Sequence, residues 1–382
     1  MSLAQPLPLI QDRKYIPHIQ DQKYIPALDG LRGLAIILVI TFHYFSNTIF
    51  SLGWSGVDLF FVLSGYLITG RLIANENNKN RYGIFYKNRA LRILPVYYLV
   101  LITFYFAIFF LVKPANFHRF DFYLDNWPGF VFFLQNWSYI FNSPPIENHL
   151  GPVWSLAVEE QFYLFWPFVV YRFYKSRYFI PVLWGSVCAV ILLRYSLYIF
   201  NGPPVPIYEY YDNTFCRLDG LIIGAITYFL LHKQPAKNSS ILILAAISLI
   251  VLITGISITQ TVSHTGFFMG TLGYTAIAFI YAGVVYLVIT RPGSYIDRFF
   301  KNGFLRQTGK ISYGLYIIHM PVWESSVNKL TRYFREHFNA NYNVALLLTQ
   351  LICVAVSYGL ALLSFYYFER YFLRKKHKPQ TV

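Results

Sequence analysis

Long apolar stretches recur along the whole chain, separated by shorter segments that carry most of the polar and charged residues. Each stretch is about 20 residues long, which is the length that an α-helix needs to cross the hydrocarbon core of a bilayer. We place ten of them, at 33–50, 56–73, 93–112, 153–171, 179–200, 217–231, 239–258, 266–290, 311–328 and 343–369. The pattern therefore predicts an all-α polytopic membrane bundle of about ten transmembrane helices.

The distribution of the basic residues predicts how this bundle is oriented. The formal net charge is +15, although only 13% of the 382 residues are charged, 56% are hydrophobic and the mean hydropathy is +0.42. In a soluble protein such a charge would suggest nucleic acid, but here Lys and Arg cluster on alternate loops. Cytoplasmic loops of membrane proteins carry this excess. We therefore expect both termini in the cytoplasm, membrane lipids around the helices and no nucleic-acid partner.

Three segments divide the chain. Residues 1–26 contain a direct repeat, IQDRKYIP followed by IQDQKYIP, and are interpreted as a cytoplasmic extension without a cleavable signal peptide, because they lack an apolar core. Residues 27–372 form the transmembrane domain, and residues 373–382 form a basic cytoplasmic tail. In the outer connection at 113–152, the apolar stretch 128–141 is too short to span, which predicts a re-entrant or interfacial segment.

The stretch LDGLRGLAIILVITFHYF places an arginine and a histidine in an otherwise apolar helix. Arg32 and His43 are eleven residues apart, so both side chains point the same way, about 16 Å apart along the axis. An ionisable group inside the membrane costs several kcal/mol and indicates a functional site. We expect Arg32 at the cytoplasmic interface and His43 near or beyond the midplane. The alternative for His43 is a hydrogen-bonded core histidine.

The sequence YKNRALRILP presents two arginines at the start of the third helix. Arg89 and Arg92 are three residues apart and therefore share one helix face. Two guanidinium groups can bind phosphates bidentately. The alternative is an ordinary basic loop that contacts lipid headgroups. Taken alone, this pattern leaves both interpretations open.

The sequence GPVWSLAVEEQFY begins the fourth helix. Ser155 and Glu159 are four residues apart and share a face, while Glu160 points about 100° away. A buried carboxylate needs a partner, and because the first helix runs outward and the fourth runs inward, Glu159 is expected at the depth of His43. We predict that the two meet and that Glu159 orients His43 as a general base. A structural ion pair between helices is the alternative.

Further polar residues inside the predicted spans are candidates for supporting this site. In GVDLFFVLSGYLITG, Asp58 begins the second helix, and Ser64 and the glycine after it permit close helix approach. In CRLDGLIIGA, Arg217 and Asp219 are expected to pair with each other or with Glu159.

The ninth predicted helix contains ISYGLYIIHMP, in which Tyr313, Tyr316 and His319 are spaced by threes. For His319 we favour a structural role over a catalytic one. The three cysteines are widely spaced in apolar sequence, so neither a disulfide framework nor a metal site is expected. No Walker loop, zinc-ligand run, dinucleotide fingerprint or G-x-S-x-G elbow occurs in the sequence.

Six blocks in this order resemble the acyltransferase-3 family of integral membrane acyltransferases: YIPALDGLRG, GVDLFFVLSGYLI, FYKNRALRILP, VWSLAVEEQFY, RLDGLIIGA and ISYGLYIIH. The family includes bacterial O-acetyltransferases of lipopolysaccharide, exopolysaccharide and peptidoglycan. Three of its patterns occur without departure, Arg-x10-His at Arg32 and His43, Arg-x-x-Arg at Arg89 and Arg92, and Ser-x-x-x-Glu at Ser155 and Glu159.

The resemblance implies transfer of an acyl group, usually acetyl, from cytoplasmic acyl-CoA to a carbohydrate hydroxyl at the outer face of the bacterial cytoplasmic (inner) membrane. Arg89, Arg92 and Arg32 would hold the phosphates of acetyl-CoA, the donor. His43, oriented by Glu159, would deprotonate the hydroxyl or accept the acyl group transiently, and both routes stay open. Some family members carry an SGNH-type domain, which this chain is expected to lack, so direct transfer and handover to a separate protein are both possible.

A secondary transporter or flippase is the rival class, since it also needs charged residues along a path through the membrane. The sequence offers no matching pair of Gly/Pro-broken helices in two halves, which inverted repeats would predict. A structural or sensory membrane protein would explain neither His43 nor Glu159 inside the spans.

Overall fold

The computed structural model describes residues 24–45, 49–112, 118–142, 148–201, 207–233 and 239–376. These residues are mostly helical, and no strand occurs among them. Ten long helices are labelled in chain order: α1 (Pro26–Phe45), α2 (Gly56–Ala74), α3 (Arg81–Leu111), α4 (Trp154–Phe173), α5 (Phe179–Asn201), α6 (Thr214–Lys233), α7 (Ser240–Thr259), α8 (Tyr274–Thr290), α9 (Gly303–Phe338) and α10 (Tyr342–Leu363). The predicted all-α class is confirmed.

Short helical segments connect or extend these ten helices. They are Ile49–Ser55, Asp121–Asp125, Trp127–Val131, Gln135–Phe141, Gly151–Val153, Ile207–Tyr211, Met269–Gly273, Tyr295–Phe300, Ser364–Glu369 and Arg370–Arg374. The stretch expected to be re-entrant or interfacial thus consists of short helices, which hydrogen bonds fasten to α3: the hydroxyl of Tyr97 donates to the carbonyl oxygen of Phe130 at 2.6 Å.

Eight helices in the described ranges are long and apolar enough to cross a membrane. The helices α4 and α9 lie outside that set because they carry more polar and charged residues, but both pack inside the bundle, α9 along α1 and α10. Every predicted span therefore has a helix. The side of the membrane on which each end lies stays a prediction, and residues 1–23 and 377–382, with most of the predicted extension and tail, are outside the described residues.

Helix boundaries differ from the prediction where polar residues interrupt the apolar runs. The first helix begins at Pro26 and ends at Phe45, so it includes Asp29 and Arg32 and places His43 in its last turn. The third helix begins at Arg81, well before the apolar run. Polar residues lie inside these helices because neighbouring helices, and not only lipid, surround them.

Two contacts between helix backbones position the polar residues. A Cβ atom on Gly309 of α9 would lie 1.7 Å from the carbonyl oxygen of Asp29 of α1, so only glycine allows this approach. A Cβ atom on Gly65 of α2 would lie 1.9 Å from the carbonyl oxygen of Leu221 of α6. The close approach predicted at Ser64 and its following glycine is therefore confirmed for α2 against α6.

Candidate active site

A cavity of about 400 Å³ lies between α1, α3, the start of α9 and the helical segment after α10. Its wall carries four cations and two carboxylates, on Arg32, Arg92, Arg306, Lys310, Asp29 and Glu369. An ion pair of 3.5 Å joins Arg32 Nη1 to Asp29 Oδ1. The excess of positive charge suits an anionic ligand.

Three arginines near this cavity have no hydrogen-bond or ion-pair partner in the described ranges of the chain. The guanidinium groups of Arg71, Arg89 and Arg92 make no hydrogen bond there and have no carboxylate oxygen within 4.0 Å. Arg89 is buried, and the other two are half-buried. Their charges act on one another and on Arg32. Because a buried charge without a counter-charge is costly, this cluster favours an anion from outside the chain.

Lys376, beyond the last helical segment, lies in the same electrostatic field. Burial is the main cause that lowers the pKa of Lys376 to about 6, and four arginine charges add to it, those of Arg92, Arg89, Arg71 and Arg32. This lysine is therefore mostly neutral at pH 7 in the unliganded protein, and an approaching anion would favour its charged form.

Glu159 connects α2 to α4. Its Oε1 accepts a hydrogen bond from the hydroxyl of Ser64 at 2.8 Å, and its Oε2 accepts one from the hydroxyl of Tyr163, also at 2.8 Å. The ring centroid of Tyr163 lies 5.3 Å from the guanidinium carbon of Arg89. Glu159 therefore belongs to the neighbourhood of the arginine cluster, and the charges of Arg89 and Arg32 act on it.

The imidazole of His43 is half-buried and is hydrogen-bonded to α1 and α9. Its Nδ1 lies 2.9 Å from the carbonyl oxygen of Val39 and 3.2 Å from Nε2 of His319. The predicted contact between His43 and Glu159 does not occur among these hydrogen bonds. Both oxygens of Glu159 are occupied by hydroxyl groups, and His43 lies in the last turn of its helix. The partner of His43 is a second histidine.

The three residues spaced by threes on α9 each contact a different helix. The hydroxyl of Tyr313 donates to the carbonyl oxygen of Ile93 in α3 at 2.7 Å. The hydroxyl of Tyr316 lies 2.6 Å from Oγ of Ser155 in α4. His319 completes the series at α1. Through these three side chains α9 contacts α3, α4 and α1, which places it at the centre of the candidate site.

Two buried ion pairs hold α2, α5 and α6 together. Arg217 Nη2 lies 2.8 Å from Asp58 Oδ1, and Arg194 Nη2 lies 2.9 Å from Asp219 Oδ2. Thr275 of α8 also donates to Asp219, at 2.5 Å. The prediction that Arg217 and Asp219 pair with each other or with Glu159 is wrong, because each has an opposite charge on another helix.

Sequence reasoning missed several residues of these clusters. Arg194 was detectable as a single arginine within the fifth apolar run, whereas Arg71 and Lys376 were counted only as basic loop residues. Ser64 was assigned to packing alone. His264, whose ring centroid lies 5.5 Å from that of Phe42 beside His43, gave no signal because it lies outside the apolar runs.

A larger cavity, of about 900 Å³, lies between α4, α5 and α6. Its wall is mostly aromatic and aliphatic, and Glu160 is its single charged residue among those described. It does not suit a ligand that carries several phosphates. No group of three or more His, Cys, Asp or Glu side chains that could hold a metal ion occurs within the described ranges.

These features define a polytopic helical membrane protein in which His43, near the end of α1, is hydrogen-bonded to a second histidine. Beside Arg32 of the same helix lie three arginines of α2 and α3 that have no ion-pair partner among the described residues. The family model described as an acyltransferase domain matches residues 25–366. The chain therefore belongs to this acyltransferase family, which confirms the resemblance found in the sequence.

Curated relatives agree with this assignment. The chain is 32% identical over 312 residues to Peptidoglycan O-acetyltransferase OatA of Listeria monocytogenes, covering 78% of this chain and 49% of that protein. It is 31% identical over 318 residues to O-acetyltransferase OatA of Staphylococcus aureus, covering 77% of this chain and 50% of that protein. The chain thus spans about half the length of the curated relatives it matches. No solved structure matches it.

Proposed function

We propose that this protein is a membrane-bound O-acyltransferase that moves an acyl group, in the first instance acetyl, from acyl-CoA on the cytoplasmic side to a hydroxyl of a glycan on the outer side of the bacterial inner membrane. The observation that carries the proposal is that α1 runs from Arg32, beside arginines that have no hydrogen-bond or ion-pair partner among the described residues, to the hydrogen-bonded His43 at its other end. The names of the relatives support the class of reaction.

In this proposal the arginine cluster binds the phosphates of the donor. Guanidinium groups bind phosphate oxygens bidentately and stay charged. Arg92 and Arg32 line the cavity, and Arg89, which does not line it, lies within the range of their charges. The phosphates of bound acyl-CoA would give Arg71, Arg89 and Arg92 anionic oxygens within hydrogen-bond distance, which no described carboxylate provides.

His43 performs the chemistry by one of two routes. As a base, it takes the proton of the acceptor hydroxyl, whose oxygen attacks the thioester carbonyl. The C–S bond breaks and the sulfur leaves as the CoA thiolate, which then takes up a proton. As a nucleophile, it attacks the thioester carbonyl, the C–S bond breaks and CoA leaves as the thiolate. The acceptor oxygen then displaces the imidazole from the acyl group, and the hydroxyl proton passes to the thiolate. Glu159 would act at the arginine cluster instead of on His43, since its hydrogen bonds connect it there.

The acceptor is proposed from the names of the relatives. Peptidoglycan is the first glycan to test, because the Listeria relative is named for it. Lipopolysaccharide and exopolysaccharide are the other acceptor classes that the resemblance implies. All three offer sugar hydroxyls on the outer side of the inner membrane.

The test uses the purified full chain in lipid nanodiscs, radiolabelled acetyl-CoA and solubilised peptidoglycan fragments. We expect alkali-labile label on the glycan, and we expect His43→Ala to abolish it. His232→Ala is the matched control, because the Nδ1 of His232 also contacts the carbonyl four residues earlier, at 2.7 Å from Tyr228. Equal ester formation by His43→Ala and the unmodified protein would overturn the role of His43. Acetyl-CoA binding without any ester on the three glycan classes would contradict the proposed reaction.

A further inference from the structure

The pair formed by His43 and His319 joins two histidines that are 276 residues apart in the chain. Nε2 of His319 lies 3.2 Å from Nδ1 of His43, and the two ring centroids are 5.0 Å apart. His319 is fully buried, whereas His43 is half-buried. The geometry around each ring determines where its proton lies.

The position of the proton on the His319 ring is determined by a main-chain carbonyl group. Nδ1 of His319 lies 2.7 Å from the carbonyl oxygen of Tyr316, which can only accept a hydrogen bond. Nδ1 of His319 therefore carries its proton. In a neutral imidazole the other nitrogen then has a free lone pair, so Nε2 of His319 faces His43 as an acceptor.

The position of the proton on the His43 ring follows from that on His319. Nδ1 of His43 lies 2.9 Å from the carbonyl oxygen of Val39 and faces the lone pair of His319, so it carries a proton that it donates to both. The opposite arrangement needs His319 as an imidazolium that donates to an unprotonated Nδ1 of His43. That would turn the lone pair of Nδ1 toward the Val39 carbonyl and would bury a cation with no hydrogen-bonded carboxylate among the described residues.

The position of His319 is itself fixed. The hydroxyl of Tyr44, the residue after His43, donates to the main-chain carbonyl of His319 at 2.7 Å and lies 3.0 Å from Oγ of Ser357 in α10. The ring of Tyr44 also stacks on Trp323 of α9, with centroids 4.7 Å apart. One tyrosine thus fastens α1, α9 and α10 beside the histidine pair.

We propose that His319 is a positioning residue that locks His43 in the tautomer with the proton on Nδ1, so that Nε2 is the nitrogen that takes the hydroxyl proton or the acyl group. The assignment of the tautomer stands on the hydrogen bonds alone, while the reactive role of Nε2 rests on the proposed function. His319 then resembles the orienting carboxylate of a catalytic triad in its task, but it is neutral. It also stabilises the imidazolium of His43 after proton transfer, because its lone pair still accepts from Nδ1.

The tautomer is tested directly by solid-state ¹⁵N NMR of histidine-labelled protein in lipid bilayers near pH 8. The signals of His43 are identified by their loss in His43→Gln, which is necessary because the chain has 9 histidines. We expect a protonated Nδ1 and an unprotonated Nε2 for His43, and a mixture of tautomers in His319→Leu. A protonated Nε2 in the unmodified protein, or an unchanged His43 spectrum in His319→Leu, would overturn the proposal whether or not the protein transfers acetyl groups.

The contribution to rate is tested with two variants of the same residue. In His319→Gln the amide oxygen can take the place of Nε2 as acceptor, so we expect turnover within a few-fold of the unmodified protein. In His319→Leu we expect kcat to fall about 10- to 100-fold with KM for acetyl-CoA unchanged. If kcat falls equally in both variants while their thermal stabilities are equal, the hydrogen-bond acceptor at position 319 does not contribute to the rate. Expected NMR spectra in a protein that makes no ester would instead count against the proposed function alone.

Discussion

Two groups of buried or half-buried arginines in this bundle differ in one respect. Arg217 and Arg194 each have a carboxylate oxygen within 2.9 Å, and both pairs are almost inaccessible to solvent. Arg71, Arg89 and Arg92 have none within 4.0 Å in the described part of the chain. The first group is complete and connects helices. The second is incomplete, and we interpret the missing counter-charge as that of a ligand.

The cost of burying charge explains why the difference is informative. Removing an ion from water costs several kcal/mol even after relaxation, and an opposite charge must offset it. A group of like charges adds mutual repulsion. Burial first, and the arginine charges after it, lower the pKa of Lys376 to about 6 at the edge of the cluster. A fold that keeps such an arrangement has a use for it, and binding a polyanion is the use that the charge geometry favours.

The largest expected effect comes from breaking a complete pair. Asp58→Asn leaves Arg217 buried without its counter-charge, and we expect the free energy of unfolding to fall by about 3 to 5 kcal/mol. Denaturant or thermal unfolding in detergent measures it. The double variant Asp58→Leu with Arg217→Met is the control, which we expect to recover most of the loss because both charges are absent. If Asp58→Asn lowers the free energy of unfolding only slightly, then Arg217 tolerates the loss of its counter-charge, and the ion pair and the arginine cluster do not differ in the way proposed.

Removing a member of the incomplete group should affect binding and not stability. For Arg89→Gln we expect the affinity for acetyl-CoA to fall about 10- to 100-fold, because the cluster loses one of the buried positive charges that attract the phosphates. Thermal stability without ligand should stay equal or rise, since one repulsive charge is gone. Titration of the purified protein at two salt concentrations measures both the affinity and its electrostatic part.

Arg172→Gln, on the exposed last turn of α4, is the matched control for Arg89→Gln. It removes the same charge outside the cluster, so its affinity for acetyl-CoA should be unchanged. Equal affinity in Arg89→Gln and Arg172→Gln would reject the cluster as the phosphate site, and a large loss of stability in Arg89→Gln would place Arg89 with the complete pairs.

The same comparison explains how much of the molecule the sequence could predict. The helices were predictable because the length of an apolar run is a property of the chain alone. The partners of charged residues were not, because pairing depends on which helices become neighbours. Asp219 has an opposite charge two residues away in Arg217, yet its partner is Arg194 on another helix. His43 has its partner 276 residues away.

The predictions of helix boundaries and of the residues that form the site were partly wrong for a related reason. The hydropathy pattern begins α1 and α3 too late in the chain because it places Asp29, Arg32 and Arg89 outside the spans. In the folded protein, close packing such as that of Gly309 against Asp29 surrounds these residues with helices. The residues predicted for the phosphate site do lie together, and the sequence did not indicate that Arg71 and Lys376 join them.

The smallest expected effect concerns the proton on Lys376. In the free protein its pKa is about 6, and a bound polyphosphate raises that value by attraction to the ammonium group. A ligand that raises the pKa of Lys376 binds more tightly as the pH falls from the pKa of the liganded protein toward the pKa of the free protein, about 6. Below about pH 6 the affinity no longer changes, because Lys376 is charged with and without ligand. For acetyl-CoA we therefore expect proton uptake on binding at pH 7 to 8 and an affinity that rises by at most about tenfold per pH unit. Calorimetry in two buffers with different ionisation enthalpies measures this uptake.

The control for this measurement is Lys376→Met, which keeps the apolar stem but removes the titrating amine. It is needed because the donor phosphates titrate in the same pH range, and it removes only the contribution of the protein to proton uptake. Proton uptake that is identical in Lys376→Met and in the unmodified protein would show that the ligand does not enter the field of the arginine cluster.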